Sequence, residues 1–179
     1  MACTALLLVA LGNVDRAVVP KGFRTVASRI TLPFKAAMLY ATEPDRELAC
    51  PVEGVRVKQV TDTWHAPRPG GRLHEGLDIF AKRGTAVRSA TEGYVIRVGV
   101  SPLGGNTVLV LGSGGRNYYY AHLDSYASGL AVGDYVTPET IIGYVGTSGN
   151  AAGASPHLHF GVYTSAGAMN PLPLLVDRS

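Results

Sequence analysis

From Cys50 onward the apolar positions come in short runs broken by Gly, Pro and Asn, the texture of strands joined by turns. The runs are Val55–Val60, Ala86–Ala90, Tyr94–Val98, Thr107–Leu111, Asn117–His122, Ile141–Val145 and His157–Tyr163. Before residue 50 the pattern differs. Phe34–Tyr40 reads as a short helix, and Thr42-Glu43-Pro44-Asp45 breaks it. Leu6–Leu11 is an apolar run too short to span a bilayer. It is either the remnant of a secretion signal, although no Lys or Arg precedes it, or a buried strand or helix. Leu48-Ala49-Cys50 resembles a lipoprotein cleavage site, but Glu47 and the preceding Pro44-Asp45-Arg46 do not suit one. The expected organisation is an N-terminal extension over 1–49, a β domain over 50–173 and a C-terminal tail over 174–179.

A weak repeat lies inside the β domain. Gly84-Thr85-Ala86-Val87 is followed by Gly93-Tyr94-Val95, and Gly133-Asp134-Tyr135-Val136 by Gly143-Tyr144-Val145. Two similar hairpin-like units packed together would give an all-β, antiparallel, barrel-sandwich hybrid-like domain. Gly and Val are abundant enough here for chance to compete with that reading.

Composition narrows this only a little. At 179 residues the chain is long enough for one domain with a sizeable core. A net charge of +3 favours an anionic surface such as a cell wall, or is merely solvated. No nucleic-acid partner and no stable membrane span are expected, and the oligomeric state is not legible. The two cysteines, Cys3 and Cys50, form no Cys-x-x-Cys pair, so neither a disulfide framework nor a thiolate zinc site is suggested.

The chemistry lies in the histidines. In His157-Leu158-His159-Phe160, strand alternation puts Leu158 and Phe160 in the core and both histidines on the opposite face. A straight strand would hold His74 and Asp78 roughly 13 Å apart, too far to share a metal; a bend at Gly76 would bring them together. His122 ends the aromatic run Tyr118-Tyr119-Tyr120-Ala121. Singly, each has an ordinary explanation: a surface pair on an amphipathic strand, a turn Asp, a His bonded to backbone. His65 has no partner by spacing and is taken as structural or surface. Together they supply two imidazoles and one carboxylate for a metal that stays a strong Lewis acid, with two further imidazoles to move protons. No His-Glu-x-x-His, Gly-x-Ser-x-Gly or phosphate-loop pattern competes.

From about Asp62 to Pro171 the chain resembles the lysostaphin-type zinc endopeptidases of bacterial cell walls. The resemblance rests on Arg72-Leu73-His74-Glu75-Gly76-Leu77-Asp78-Ile79, Tyr120-Ala121-His122-Leu123, Ser155-Pro156-His157-Leu158-His159-Phe160-Gly161 and the glycine–valine segments above. It implies one zinc on His74, Asp78 and His159, with His122 and His157 as catalytic groups. It implies a peptidoglycan peptide as substrate, cut in the stem or the cross-bridge, and a place in the cell envelope. Members often carry Gly after the aromatic residue where this chain has His65. A non-hydrolytic relative that activates a cell-wall amidase is the alternative; such relatives typically lack ligands or catalytic histidines, and here all five positions are filled. A biotinyl-type carrier would need a modified Lys beside Met, which is absent.

Overall fold

A computed structural model describes residues 21–178, with side chains from residue 31 onward. The Leu6–Leu11 run and Cys3 lie outside the described residues. Among the described residues, one long helix, α1 (Lys21–Tyr40), precedes thirteen strands. Helix α1 is longer than Phe34–Tyr40, running through Pro33. No described helix is long and apolar enough to cross a membrane.

The main sheet is antiparallel. Its strands are β4 (Leu77–Phe80), β5 (Ala86–Arg88), β6 (Gly93–Ser101), β7 (Gly105–Gly112), β8 (Asn117–Tyr126), β9 (Tyr135–Val136), β10 (Ile141–Val145), β11 (His157–Thr164) and β12 (Gly167–Met169). Its path runs β12-β11-β8-β7-β6-β9, with β4 on β11 and β10 joining β8 to β5. Two small pairs complete the fold. β2 (Pro67–Arg68) and β3 (Arg72–Leu73) form a hairpin, and β1 (Leu48–Ala49) pairs in parallel with β13 (Leu175–Val176). That last pair places Leu48 and Leu175, just outside residues 50–173, in the buried core.

Strand alternation sets the two faces. Tyr118 and Tyr120 of β8, Leu158, Phe160 and Val162 of β11, and Leu77 and Ile79 of β4 are buried in one core. The intervening Tyr119, Ala121, His159 and Asp78 face a groove. Tyr120 is buried without stranding its hydroxyl, which accepts the Ala90 N–H at 2.8 Å.

The two glycine–valine copies exchange strands rather than standing as separate hairpins. Val87 of the first copy lies opposite Gly143 of the second, and Val136 of the second opposite Gly93 of the first. The hydrogen bonds repeat too. Gly84 N–H donates to Val145 O at 2.8 Å and Gly133 N–H to Val95 O at 2.7 Å. Val145 N–H donates to Thr85 O at 2.8 Å and Val95 N–H to Asp134 O at 2.9 Å. Gly84 and Gly133 have φ of 83° and 91°, the left-handed region that glycine enters without strain. This interlock is the barrel-sandwich arrangement expected for the fold.

The segment Val55–Val60 corrects one expectation: it forms a loop with a short 3₁₀ turn at Val57–Gln59. Its valines do pack against the core. However, its amides find local turn carbonyls or side chains instead of a strand: Val55, Gln59 and Val60 N–H donate to carbonyls three residues back, Arg56 N–H to Gln59 Oε1 and Val57 N–H to Asp177 Oδ1. Alternating apolar residues therefore mark burial here without marking a ladder.

Candidate metal centre

Asp78 and His159 lie directly opposite each other across β4 and β11. Their side chains therefore leave the same face of the sheet. His74 comes from the segment leading into β4, tied to the β2–β3 hairpin region by His74 N–H to Ala66 O at 3.0 Å and His65 N–H to His74 O at 2.8 Å. Between His74 and Asp78 the backbone passes against the His159 ring. A Cβ on Gly76 would sit 2.7 Å from His159 Cε1 and 2.7 Å from Phe160 O. Only glycine fits that approach.

The three residues offer one donor atom each to a common point. His74 Nε2 is 2.8 Å from His159 Nδ1 and 3.1 Å from Asp78 Oδ1, and His159 Nδ1 is 3.3 Å from the same Oδ1. Ligands about 2.0–2.1 Å from a tetrahedral zinc stand roughly 3.3 Å apart, so a triangle of this size fits that ion. The donor chemistry fits as well. His74 Nδ1 bonds to Thr63 O at 2.7 Å, which puts its proton there and leaves Nε2 a bare lone pair. Burial alone would raise the Asp78 carboxyl, but its contacts with the ring nitrogens of His159 and His74 and with the Arg68 guanidinium outweigh it and hold the group well below the usual carboxylate range. Burial pushes His159 down, which keeps it neutral. An ionised carboxylate and neutral imidazoles are the forms a metal requires.

Two residues beyond the sequence expectation orient this set. The Thr63 hydroxyl accepts the Asp78 N–H at 2.9 Å, so Thr63 braces two of the three donor residues. The Arg68 guanidinium donates to Asp78 Oδ2, the oxygen that is not part of the triangle. Neither residue belongs to a chemical motif; only the fold brings them in.

His122 and His157 stand beside the triangle. Plain alternation along β8 would send His122 into the core with Tyr118 and Tyr120. The β7–β8 register shifts between Asn106 and Val108, and His122 takes a φ of 61°. This bulge turns the imidazole to the groove and returns Leu123 to the core. His122 Nδ1 bonds to Ser148 O at 2.9 Å and His157 Nδ1 to Ser155 O at 2.8 Å. Each contact places the ring proton on Nδ1. The two rings meet edge to face with centroids 5.0 Å apart, and His122 is 5.9 Å from the His159 ring. Burial is the main cause that pushes His122 down to about 4. His157 Nε2 lies 3.8 Å from Asp78 Oδ1, beyond the triangle's edges.

All five residues line one groove of about 1210 Å³, with Tyr119, Tyr163, Phe80 and Leu103 among its other walls. His65 contributes no donor: it is exposed, at a φ of 58°, with its ring stacked on Trp64 at 4.4 Å. That left-handed backbone accounts for the glycine usual at this point in the resembling family.

The sequence profile of Peptidase family M23 matches residues 72–171. The L-Ala--D-Glu endopeptidase of Bacillus subtilis (strain 168) is 37% identical, over 63% of this chain and 38% of its own length. The catalytic domain of the antimicrobial peptidase lysostaphin from Staphylococcus simulans superposes with a TM-score of 0.57 at 31% identity, over 65% of this chain and 92% of that domain. A zinc-containing peptidase from Vibrio cholerae superposes with a TM-score of 0.58 at 28% identity, over 70% of this chain and 38% of that one. The chain thus spans well under half of the full-length Bacillus relative.

Proposed function

The chain belongs to peptidase family M23, and from that premise we propose that it is a zinc-dependent endopeptidase that hydrolyses amide bonds in peptidoglycan peptides. The observation that carries the reading is the compact triangle of His74, Asp78 and His159 with the imidazoles of His122 and His157 beside it. The expected place of action is the bacterial cell envelope. The β domain over 50–173 would carry the activity, with 1–49 as an extension and 174–179 as a tail.

His74 Nε2, Asp78 Oδ1 and His159 Nδ1 would hold one zinc per chain. Bound there, zinc would polarise an amide carbonyl and lower the pKa of a water. His122 and His157 then have proton-transfer roles. With Nδ1–H committed to the Ser148 and Ser155 carbonyls, each Nε2 is free to accept a proton and return it to the departing amine. The same carbonyls stabilise each imidazolium as it forms. The depressed pKa of His122 keeps it neutral near pH 7, ready to act as a base. Arg68 holds the second oxygen of Asp78, which leaves that carboxylate one oxygen for the metal.

The test is turnover of purified peptidoglycan by the zinc-loaded protein. A chelator should abolish it and added zinc should restore it. No turnover on any cell-wall substrate, with zinc fully loaded, would favour a non-hydrolytic activator of an amidase.

A further inference from the structure

Two arginines line the groove without an acidic partner among the described residues. Arg72 stands on β3, two residues before His74, and Arg97 stands on β6. Among the described residues neither forms an ion pair, whereas Arg68, Arg83 and Arg88 are each paired with a carboxylate. Among the described residues, Glu75 is the only carboxylate lining the groove besides Asp78, which is held by Arg68. With a divalent cation on Asp78, the groove is strongly positive.

Arg97 is also backed by an aromatic ring. Arg97, Leu109 and Tyr119 form one cross-strand row over β6, β7 and β8. The Arg97 guanidinium lies over the Tyr119 ring, 6.0 Å from its centroid. Tyr119 meets the His159 ring edge-on at 6.0 Å, and its hydroxyl is 3.2 Å from Ser101 Oγ. The cation is therefore one aromatic ring away from His159, over a ring that is itself held by Ser101 and His159. A strand-like peptide advances roughly 3.3 Å per residue, so a substrate with its amide at the donor triangle brings a neighbouring side chain or terminus within reach of Arg97. A planar guanidinium backed by an aromatic face matches a carboxylate in shape as well as charge.

We propose that the groove selects a peptide carrying a free carboxylate close to the scissile bond, bound by Arg97 above Tyr119, which makes the substrate an acidic stem peptide and not an uncharged cross-bridge. This rests on the peptidoglycan-peptide reading above. Arg72 adds positive field from the β2–β3 hairpin.

The test uses a synthetic peptide containing an L-Ala–D-Glu bond with free carboxylates, and its counterpart with every carboxylate converted to carboxamide. Calorimetric binding is measured on zinc-loaded His157→Ala protein, with and without Arg97→Gln, and hydrolysis is measured on the unaltered chain. The acidic peptide should bind about tenfold or more tighter than the carboxamide, the scale of a lost hydrogen bond to a charged group. Arg97→Gln should erase that difference and leave zinc content and carboxamide affinity unchanged. Equal binding of both peptides overturns the proposal. So does a preference that survives Arg97→Gln, because the carboxylate would then sit elsewhere, on the metal itself included. Selective, Arg97-dependent binding without any cleavage would uphold this recognition and sink the hydrolase reading; equal cleavage of both peptides would do the reverse.

Discussion

The His159 ring occupies the space in which a Cβ on residue 76 would stand, with Cε1 and Nε2 at 2.7 and 2.8 Å from that position. The strand entry that brings His74 back to Asp78 is thus packed directly against the third donor residue. Gly76→Ala should displace the ring or the backbone, an overpacking of about 1–3 kcal/mol. Zinc affinity measured by competition with a chromogenic chelator should fall roughly tenfold to a hundredfold. Unchanged affinity in a folded Gly76→Ala protein would mean that the approach relaxes without touching the donor set.

His159→Ala should remove most of the metal. Three donors leave no redundancy, and a structure with two cannot close the triangle. Elemental analysis checks this. Equal zinc in the unaltered protein and the variant would exclude His159 from the ligand set.

His122→Ala and His157→Ala should keep zinc and lose roughly 10²–10⁴-fold in turnover, the usual scale for a positioned acid–base group. Their Nδ1 atoms are tied to backbone carbonyls, so neither ring braces the triangle. Loss of zinc as complete as in His159→Ala would move that residue into the metal shell.

Arg68→Ala should weaken zinc binding about tenfold, at the lower end of what outer partners of metal ligands contribute. The guanidinium fixes Asp78 through Oδ2 and adds to the forces that keep the carboxylate ionised. Arg68→Lys should recover only part of the loss, because an ammonium keeps the charge without the planar fork. Full zinc affinity in Arg68→Ala would reduce the contact to a surface ion pair.

Much of this site is legible in the residues themselves, and the illegible part has identifiable causes. The alternation of Leu158 and Phe160 against His157 and His159 shows which face is buried, because strand periodicity is a local property. The bend at Gly76 follows from needing His74 near Asp78. His122 is different. Its even-numbered place after Tyr118 and Tyr120 assigns it to the core, and only a bulge with a left-handed φ turns it outward. No nearby glycine announces that bulge. Thr63 and Arg68 act through a backbone carbonyl, a hydroxyl and one carboxylate oxygen, contacts that depend on how the hairpin folds over β4. The exchange of strands between the two glycine–valine copies is likewise a long-range pairing, visible in the sequence only as a repeat. Val55–Val60 misleads because packing against a core and pairing in a sheet leave the same apolar spacing.

The central claim is that this centre cuts amides, and mass analysis of the products from purified peptidoglycan tests it most directly. Glycan cleavage usually needs two carboxylates flanking the bond, and here Asp78 is held by two imidazoles and Arg68 while Glu75 is the groove's other acid. The zinc-loaded protein should release fragments with new amino termini and leave the glycan strands intact. New reducing sugar ends without new amines would contradict the account.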